Sequence, residues 1–340
     1  MRALVTGGCG FIGSHMVRAL VRDGWEVVNL DRMTYAANPA NVAAVADHPN
    51  YRFVQGDICD GGLVRELLEG ADAVLNFAAE THVDRSLLEP GAFVRADVEG
   101  VVSLLEALRE RPGTVFVHMS TDEVFGSVPA PLEMREDAPF APSSPYAASK
   151  AAAELMIRAY AETYGLGATV VRSCNVYGPN QHMEKFIPLF TLRALAGEPM
   201  PLYGDGLQER EWLYVEDLVE ALRLVLRGAS AEPGVRAVHV GSGERLRNRE
   251  VAELICELLE RPRELIRPVA DRPGHDRRYA LDSSRLRAMG WAPRRRFAEG
   301  LALTVAWYRD HGEAWARTAN GDFSAYFARQ YGERLGTREG

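Results

Sequence analysis

The chain has 340 residues, 47% hydrophobic and 25% charged, an ordinary globular composition with length enough for one large core and a second lobe. A formal net charge of -8 removes the overall attraction that sequence-independent nucleic-acid binding needs, so no nucleic-acid partner is expected and the arginine runs Arg277, Arg278 and Arg294, Arg295, Arg296 read as solvated surface. Cys9, Cys59, Cys174 and Cys256 have no metal-ligand or disulfide spacing, no apolar run reaches about 18 residues and no leader pattern opens the chain, which together predict a cytoplasmic protein without metal or membrane span.

In chain order, short β-branched runs alternate with longer amphipathic stretches. That rhythm predicts an α/β fold, a doubly wound parallel Rossmann sheet accompanied by a smaller α/β substrate-binding lobe. Strands are expected over 2–6, 26–30, 51–55, 73–77, 115–120 and 168–172, and helices over 11–22, 63–69, 92–111 and 146–164. After Tyr177 the prolines at 179, 188, 199 and 201 break the chain into short pieces, and helices resume over 215–226 and 248–259 with a strand over 237–240. The resulting division is a nucleotide-binding domain over 1–175, with 210–243 returning to it, a second lobe from 176–209 and 244–315, and an extension over 316–340 whose role the sequence leaves open.

The segment from Thr6 to Gly13 lies between the first strand and first helix, so Gly7, Gly10 and Gly13 stand where the backbone turns tightly and approaches a diphosphate, beside Phe11 and Ile12. Asp31 ends the second strand, 18 residues beyond Gly13, where its carboxylate can accept from ribose hydroxyls. It favours NAD by repelling a 2′-phosphate, although Arg32 beside it could accommodate one. Asp57 and Ile58 after the third strand are placed for the adenine, and Phe77, Ala78 and Ala79 after the fourth for the ribose and nicotinamide. For Ile58 and Phe77, core packing is an equally good account.

Chemistry-bearing residues follow the fifth strand. Thr121, Asp122 and Glu123 stand at its carboxyl edge, where doubly wound folds put their ligands. Tyr146 and Lys150, four apart on a helical segment, share one face, and the ammonium together with a positive nicotinamide is expected to lower the phenol enough to act as a base. Together they offer Tyr146 for a hydroxyl proton, Glu123 for a carbon acid and Asp122 as an acid for a leaving hydroxyl. The last role demands that Asp122 stay protonated, shielded from water or near another carboxylate.

Eight strings carry a resemblance: GGCGFIGSH at 7–15, FAAETHVDRS at 77–86, STDEVFG at 120–126, SPYAASKAA at 144–152, CNVYGPNQHMEKFIPL at 174–189, PLYGDG at 201–206, REWLYVED at 210–217 and RPGHDRRYALD at 272–282. Over about residues 1–310 the chain resembles the nucleoside-diphosphate-hexose 4,6-dehydratases of the extended short-chain dehydrogenase/reductase superfamily. The resemblance implies an NAD-dependent hydro-lyase that oxidises C4 of a nucleotide hexose, dTDP-glucose foremost, eliminates water across C5 and C6 and reduces C6. It further implies diphosphate contacts from Arg210 and Asn248 with Arg272 and His275 nearby, Asn175 near sugar and diphosphate, and Glu184, Lys185, Pro201 and Tyr203 around the base. His82 is promoted to the substrate site by its string alone. A homodimer through the helices over 92–111 and 146–164 is implied as well. Val176, Met183, Leu218, Thr81 and Cys9 depart from the family pattern, mostly in the second lobe, so they bear on the identity of nucleotide and sugar more than on the reaction. The competing readings are a sister 4-epimerase or 5,6-dehydratase and a non-catalytic NAD-binding module; the acid pair opposes the epimerase, and retention of tyrosine and lysine opposes the module.

Overall fold

A computed structural model describes residues 1–318 and 323–335 of the chain. Of the extension over 316–340, residues 319–322 and 336–340 therefore lie outside the described residues. Twelve strands are present among the described residues: β1 Arg2–Thr6, β2 Glu26–Asp31, β3 Tyr51–Gln55, β4 Ala73–Asn76, β5 Val115–Thr121, β6 Gly167–Ser173, β7 Asn175–Tyr177, β8 Met200–Tyr203, β9 Glu209–Tyr214, β10 Gly234–Val240, β11 Arg245–Arg247 and β12 Ile266–Val269.

Seven of them form one sheet in the order β10-β6-β5-β4-β1-β2-β3, all neighbours parallel. The order reverses between β1 and β4, so a crevice opens at the carboxyl ends of those strands, where such sheets hold their ligands. Helices cover both faces, which is why β1, β4 and β6 are buried almost throughout, β1 and β4 along mostly apolar runs. Within the stretch 210–243, β10 joins this sheet while β9 does not: it pairs with β7 and β11 in a separate three-stranded sheet. β8 and β12 form a parallel pair of their own. A core around Tyr177, Phe190, Trp212, Ile255, Phe297 and Leu301 fills the second lobe. No helix among the described residues is long and apolar enough to cross a membrane.

The helix Pro145–Tyr164 shows how local chemistry sets an element. Ser144 Oγ accepts from Ala147 N at 3.1 Å, Pro145 opens the first turn, alanines fill the interior, and Gly165 ends it at a φ of +69°. The single helix expected over 92–111 is instead a short helix Pro90–Phe93, a wide π-helical turn Val94–Glu99 and the helix Gly100–Arg109. The wide turn leaves Asp97 fully buried, accepting from Ser149 Oγ at 2.6 Å and from Glu80 N at 3.0 Å. Such turns recur at functional sites, and periodicity of 3.6 residues cannot reveal them.

Candidate active site

One cleft runs over the carboxyl ends of β1, β2, β4 and β5. Its floor is the turn between β1 and the helix Phe11–Arg22. There Gly7 has a φ of +70°, and a Cβ on it would lie 2.6 Å from Ala78 N; a Cβ on Gly13 would lie 2.3 Å from Gly7 O. Both positions thus require glycine, and the first turn of the helix presents its unpaired N–H groups and positive dipole end to the cleft. Asp31 stands on the wall, with Oδ2 accepting from Cys9 N at 2.9 Å and Oδ1 from Met33 N at 2.8 Å. Burial pushes its carboxyl up and those two bonds pull it back down. Arg32 donates to Asp57 Oδ2 at 3.2 Å and lies 4.0 Å from Glu80, so its charge is committed to carboxylates. With Arg32 paired to Asp57 and Asp31 at the same cleft, a 2′-phosphate would meet carboxylates before a guanidinium, which favours NAD. The glycine cradle, the helix terminus and this acidic wall fit a dinucleotide.

At the far end of the cleft, Thr121 closes β5 and caps the next turn, its Oγ1 accepting from Glu123 N at 3.2 Å. The same hydroxyl donates to Asp122 Oδ1 at 3.2 Å and lies within hydrogen-bonding reach of Tyr146. Asp122 is buried, and its Oδ2 has no hydrogen-bond partner among the described residues. Burial, then the neighbouring carboxylates of Glu123 and Glu211, drive its carboxyl well above the usual range, opposed by Arg210 and Thr121. Both causes push Asp122 towards its neutral form, the direction that an acid role asks for. Glu123 is partly exposed to the cleft and is also raised by burial, but Arg272, Arg210 and Lys185 favour its charged form. Tyr279 donates to Asp276 Oδ2 at 2.9 Å and reaches Glu123 Oε2 at 3.4 Å.

At Tyr146 the charges of the chain itself oppose ionisation. Its phenol is held well above the usual value by burial and by the charges of Glu123 and Asp97, while Lys150 Nζ donates to Met119 O at 2.8 Å. A lone buried ammonium, itself pushed down by burial, does not outweigh two carboxylates. The expected lowering, which counts on a positive nicotinamide as well as on Lys150, is therefore not supplied by Lys150 alone.

All the proposed dinucleotide residues, namely Gly7, Gly10, Phe11, Ile12, Gly13, Asp31, Asp57, Ile58, Phe77, Ala78 and Ala79, line this cleft, as do Thr121, Asp122, Glu123, Tyr146, Lys150, Asn175 and Lys185. The remaining substrate residues do not line it. His82, Glu184, Tyr203, Arg272 and His275 gather in an adjoining network instead: His82 Nε2 meets Glu184 O at 2.9 Å, Tyr203 donates to Asp84 Oδ2 at 2.8 Å, Arg272 donates to Asp84 Oδ1 at 3.2 Å, and the His275 ring stands edge-on to Tyr203. Arg85 forks onto Glu184, and Lys185 donates to Thr81 O. Arg210 donates to Asp276 O at 2.8 Å and stacks on Tyr279, Asn248 opens the helix Asn248–Leu258, and Pro201 lies buried in β8. Asp84, Asp97, Asp276 and Tyr279 escaped sequence reasoning. Asp276 and Tyr279 lay within the quoted string at 272–282, which was a usable signal; Asp97 sat in an apparent surface helix, which was none.

Comparison with known proteins places this arrangement. Residues 4–304 match the family model described as GDP-mannose 4,6 dehydratase, and the chain belongs to that family of extended short-chain dehydrogenases. It is 48% identical to the dTDP-glucose 4,6-dehydratase of Streptomyces niveus over 323 residues, 93% of this chain and 95% of that one. Among solved structures it resembles DesIV, the dTDP-glucose 4,6-dehydratase of Streptomyces venezuelae crystallised with NAD, at 46% identity and a TM-score of 0.90, covering 94% of this chain and all of that one. The UDP-glucose 4-epimerase of Thermus thermophilus, also with NAD, is more distant at 36% identity and a TM-score of 0.83, over 91% of this chain and 99% of that one.

Proposed function

We propose that the protein is an NAD-dependent nucleoside-diphosphate-hexose 4,6-dehydratase, with dTDP-glucose as its substrate and the 4-keto-6-deoxy sugar as product. The observation that carries this reading is Asp122, a buried carboxylic acid with one oxygen unpartnered among the described residues, one residue from a carboxylate and beside the Tyr146 phenol. An oxidoreductase without elimination has no use for such an acid.

When bound in the glycine cradle, NAD supplies the two-electron acceptor for C4 and returns the same pair to C6. The chain's own residues do the rest. Tyr146 takes the C4 hydroxyl proton, Thr121 holds that oxygen, and Lys150 supports the phenolate. The ketone formed at C4 acidifies C5, and Glu123, kept ionisable by Arg272, Arg210 and Lys185, removes the C5 proton. Asp122 protonates the departing C6 hydroxyl, which leaves as water. Arg210 and Asn248 serve the diphosphate with Arg272 and His275 nearby, Asn175 the sugar and diphosphate, and Glu184, Lys185, Pro201 and Tyr203 the base end, with His82 beside Glu184.

The reading extends to assembly and place. A homodimer through the helices flanking the site is supported by exposed apolar side chains on them, Leu155 at 55%, Tyr164 at 50% and Val94 at 49%. Free, mostly buried cysteines and the absence of a membrane-spanning helix among the described residues support a cytoplasmic location. The decisive experiment gives the enzyme dTDP-glucose deuterated at C4 and locates the label in the product by mass spectrometry and NMR. Label at C6 with loss of one water is expected; label retained at C4, or an unsaturated product without it, overturns the assignment.

A further inference from the structure

The helix Phe323–Leu335 lies beyond residue 304, where the family match ends, and no role attaches to it from the motifs. Yet it packs against the network that adjoins the cleft. Gln330 Nε2 donates to Tyr203 Oη at 2.7 Å, and that hydroxyl donates onward to Asp84, which also receives Arg272. The Tyr331 ring lies 5.9 Å from the Tyr203 ring, and the Arg334 guanidinium stands 5.2 Å over it. One turn earlier, Tyr326 meets the His82 ring at 5.5 Å and the Arg85 guanidinium at 4.5 Å, and its buried hydroxyl has no hydrogen-bond partner among the described residues.

We propose that this C-terminal helix is the outer wall of the base-binding end of the nucleotide-sugar site, with Gln330 positioning the Tyr203 ring through its hydroxyl. The inference rests on the functional reading above for the identity of the ligand, a pyrimidine nucleoside diphosphate. Tyr203 is held from two sides, by Asp84 beneath and Gln330 above, so its ring is fixed in one orientation before the base arrives. Removing the upper bond loosens a ring that Asp84, His275, Tyr331 and Arg334 still contact, without touching any residue that handles the sugar. The effect therefore belongs to binding and not to the chemical steps. Because the wall lies outside the family-defining residues, base selectivity can vary here while the reaction stays the same.

The test uses the NAD-loaded, full-length protein and calorimetric titration with dTDP alone, so that it does not depend on turnover. Loss of one net hydrogen bond predicts about tenfold weaker dTDP binding for Gln330→Ala. In parallel, KM for dTDP-glucose rises by a similar factor while kcat stays within about twofold. In a Tyr203→Phe background, which lacks the accepting hydroxyl, Gln330→Ala should cost nothing further, whereas a general loss of helix packing would add to the first change. Unchanged dTDP affinity in Gln330→Ala, or full additivity of the two substitutions, overturns the proposal. Wild-type protein that binds dTDP but releases no water from dTDP-glucose would instead sink the dehydratase reading and leave the helix assignment standing on its binding data.

Discussion

Asp122 and Glu123 are chemically similar neighbours with opposite surroundings. Asp122 faces Glu211 and Glu123 and is buried, so its neutral form is favoured; Glu123 faces Arg272, Arg210 and Lys185, so its charged form gains support despite burial. Pairs pushed apart in this way divide into acid and base. The same burial has a consequence for stability. A carboxyl whose folded pKa is raised contributes stability below its unfolded value, and that contribution is lost as pH rises towards the folded value. Asp122→Asn removes the ionisation, so the variant should gain on the wild type as pH increases above the ordinary aspartate range of about 4, by up to about 1.4 kcal/mol per pH unit. Urea unfolding of both proteins at pH 5 and pH 7 measures this. A difference independent of pH would mean that Asp122 is already ionised and cannot deliver a proton.

The helix Pro145–Tyr164 presents Tyr146 and Lys150 and must be held in register with β5, which presents Thr121. A buried ion pair does this. Arg172 on β6 forks onto Glu154 at 2.7–3.1 Å, and Ser120 Oγ donates to Glu154 Oε1 at 2.6 Å; both charged side chains are almost completely buried. Removing one charge leaves the other without compensation in a medium that cannot solvate it. Glu154→Gln is expected to cost about 3–5 kcal/mol of stability, read as a shift in the urea midpoint. The glycine turn makes a second demand at this scale. Gly13→Ala forces a methyl to within 2.3 Å of Gly7 O, so the purified variant should carry little bound NAD, measured by the absorbance of the cofactor released on denaturation. Elements of this kind were legible beforehand because glycine spacing and strand hydrophobicity are local signals. The break in the expected helix over 92–111 was not, since a single extra residue in one turn leaves the amphipathic pattern nearly intact and is decided by what Asp97 meets inside.

For the molecule as a whole, the apolar side chains left outside are informative. Leu155 and Tyr164 on one helix, with Val94 on its neighbour, remain about half exposed. In the dimer proposed above they meet their counterparts, and a charge placed there is desolvated without a partner. Leu155→Arg should therefore halve the mass seen by light scattering, while the far-ultraviolet spectrum is unchanged. An unaltered mass would move the interface elsewhere or remove it.

The amino-acid order alone pointed to the parallel sheet, to the dinucleotide turn, and to the groups at the carboxyl end of β5 and in the first turns of the helix Pro145–Tyr164, because each is written in a local pattern that short-range physics reads directly. Tertiary structure alone decided the direction in which each group's ionisation is pushed, that Arg32 spends its guanidinium on Asp57, that Lys150 does not by itself lower the Tyr146 phenol, and that a helix near the chain's end touches Tyr203. Burial and long-range electrostatics depend on neighbours that lie tens to hundreds of residues away in sequence, and no local pattern encodes that distance.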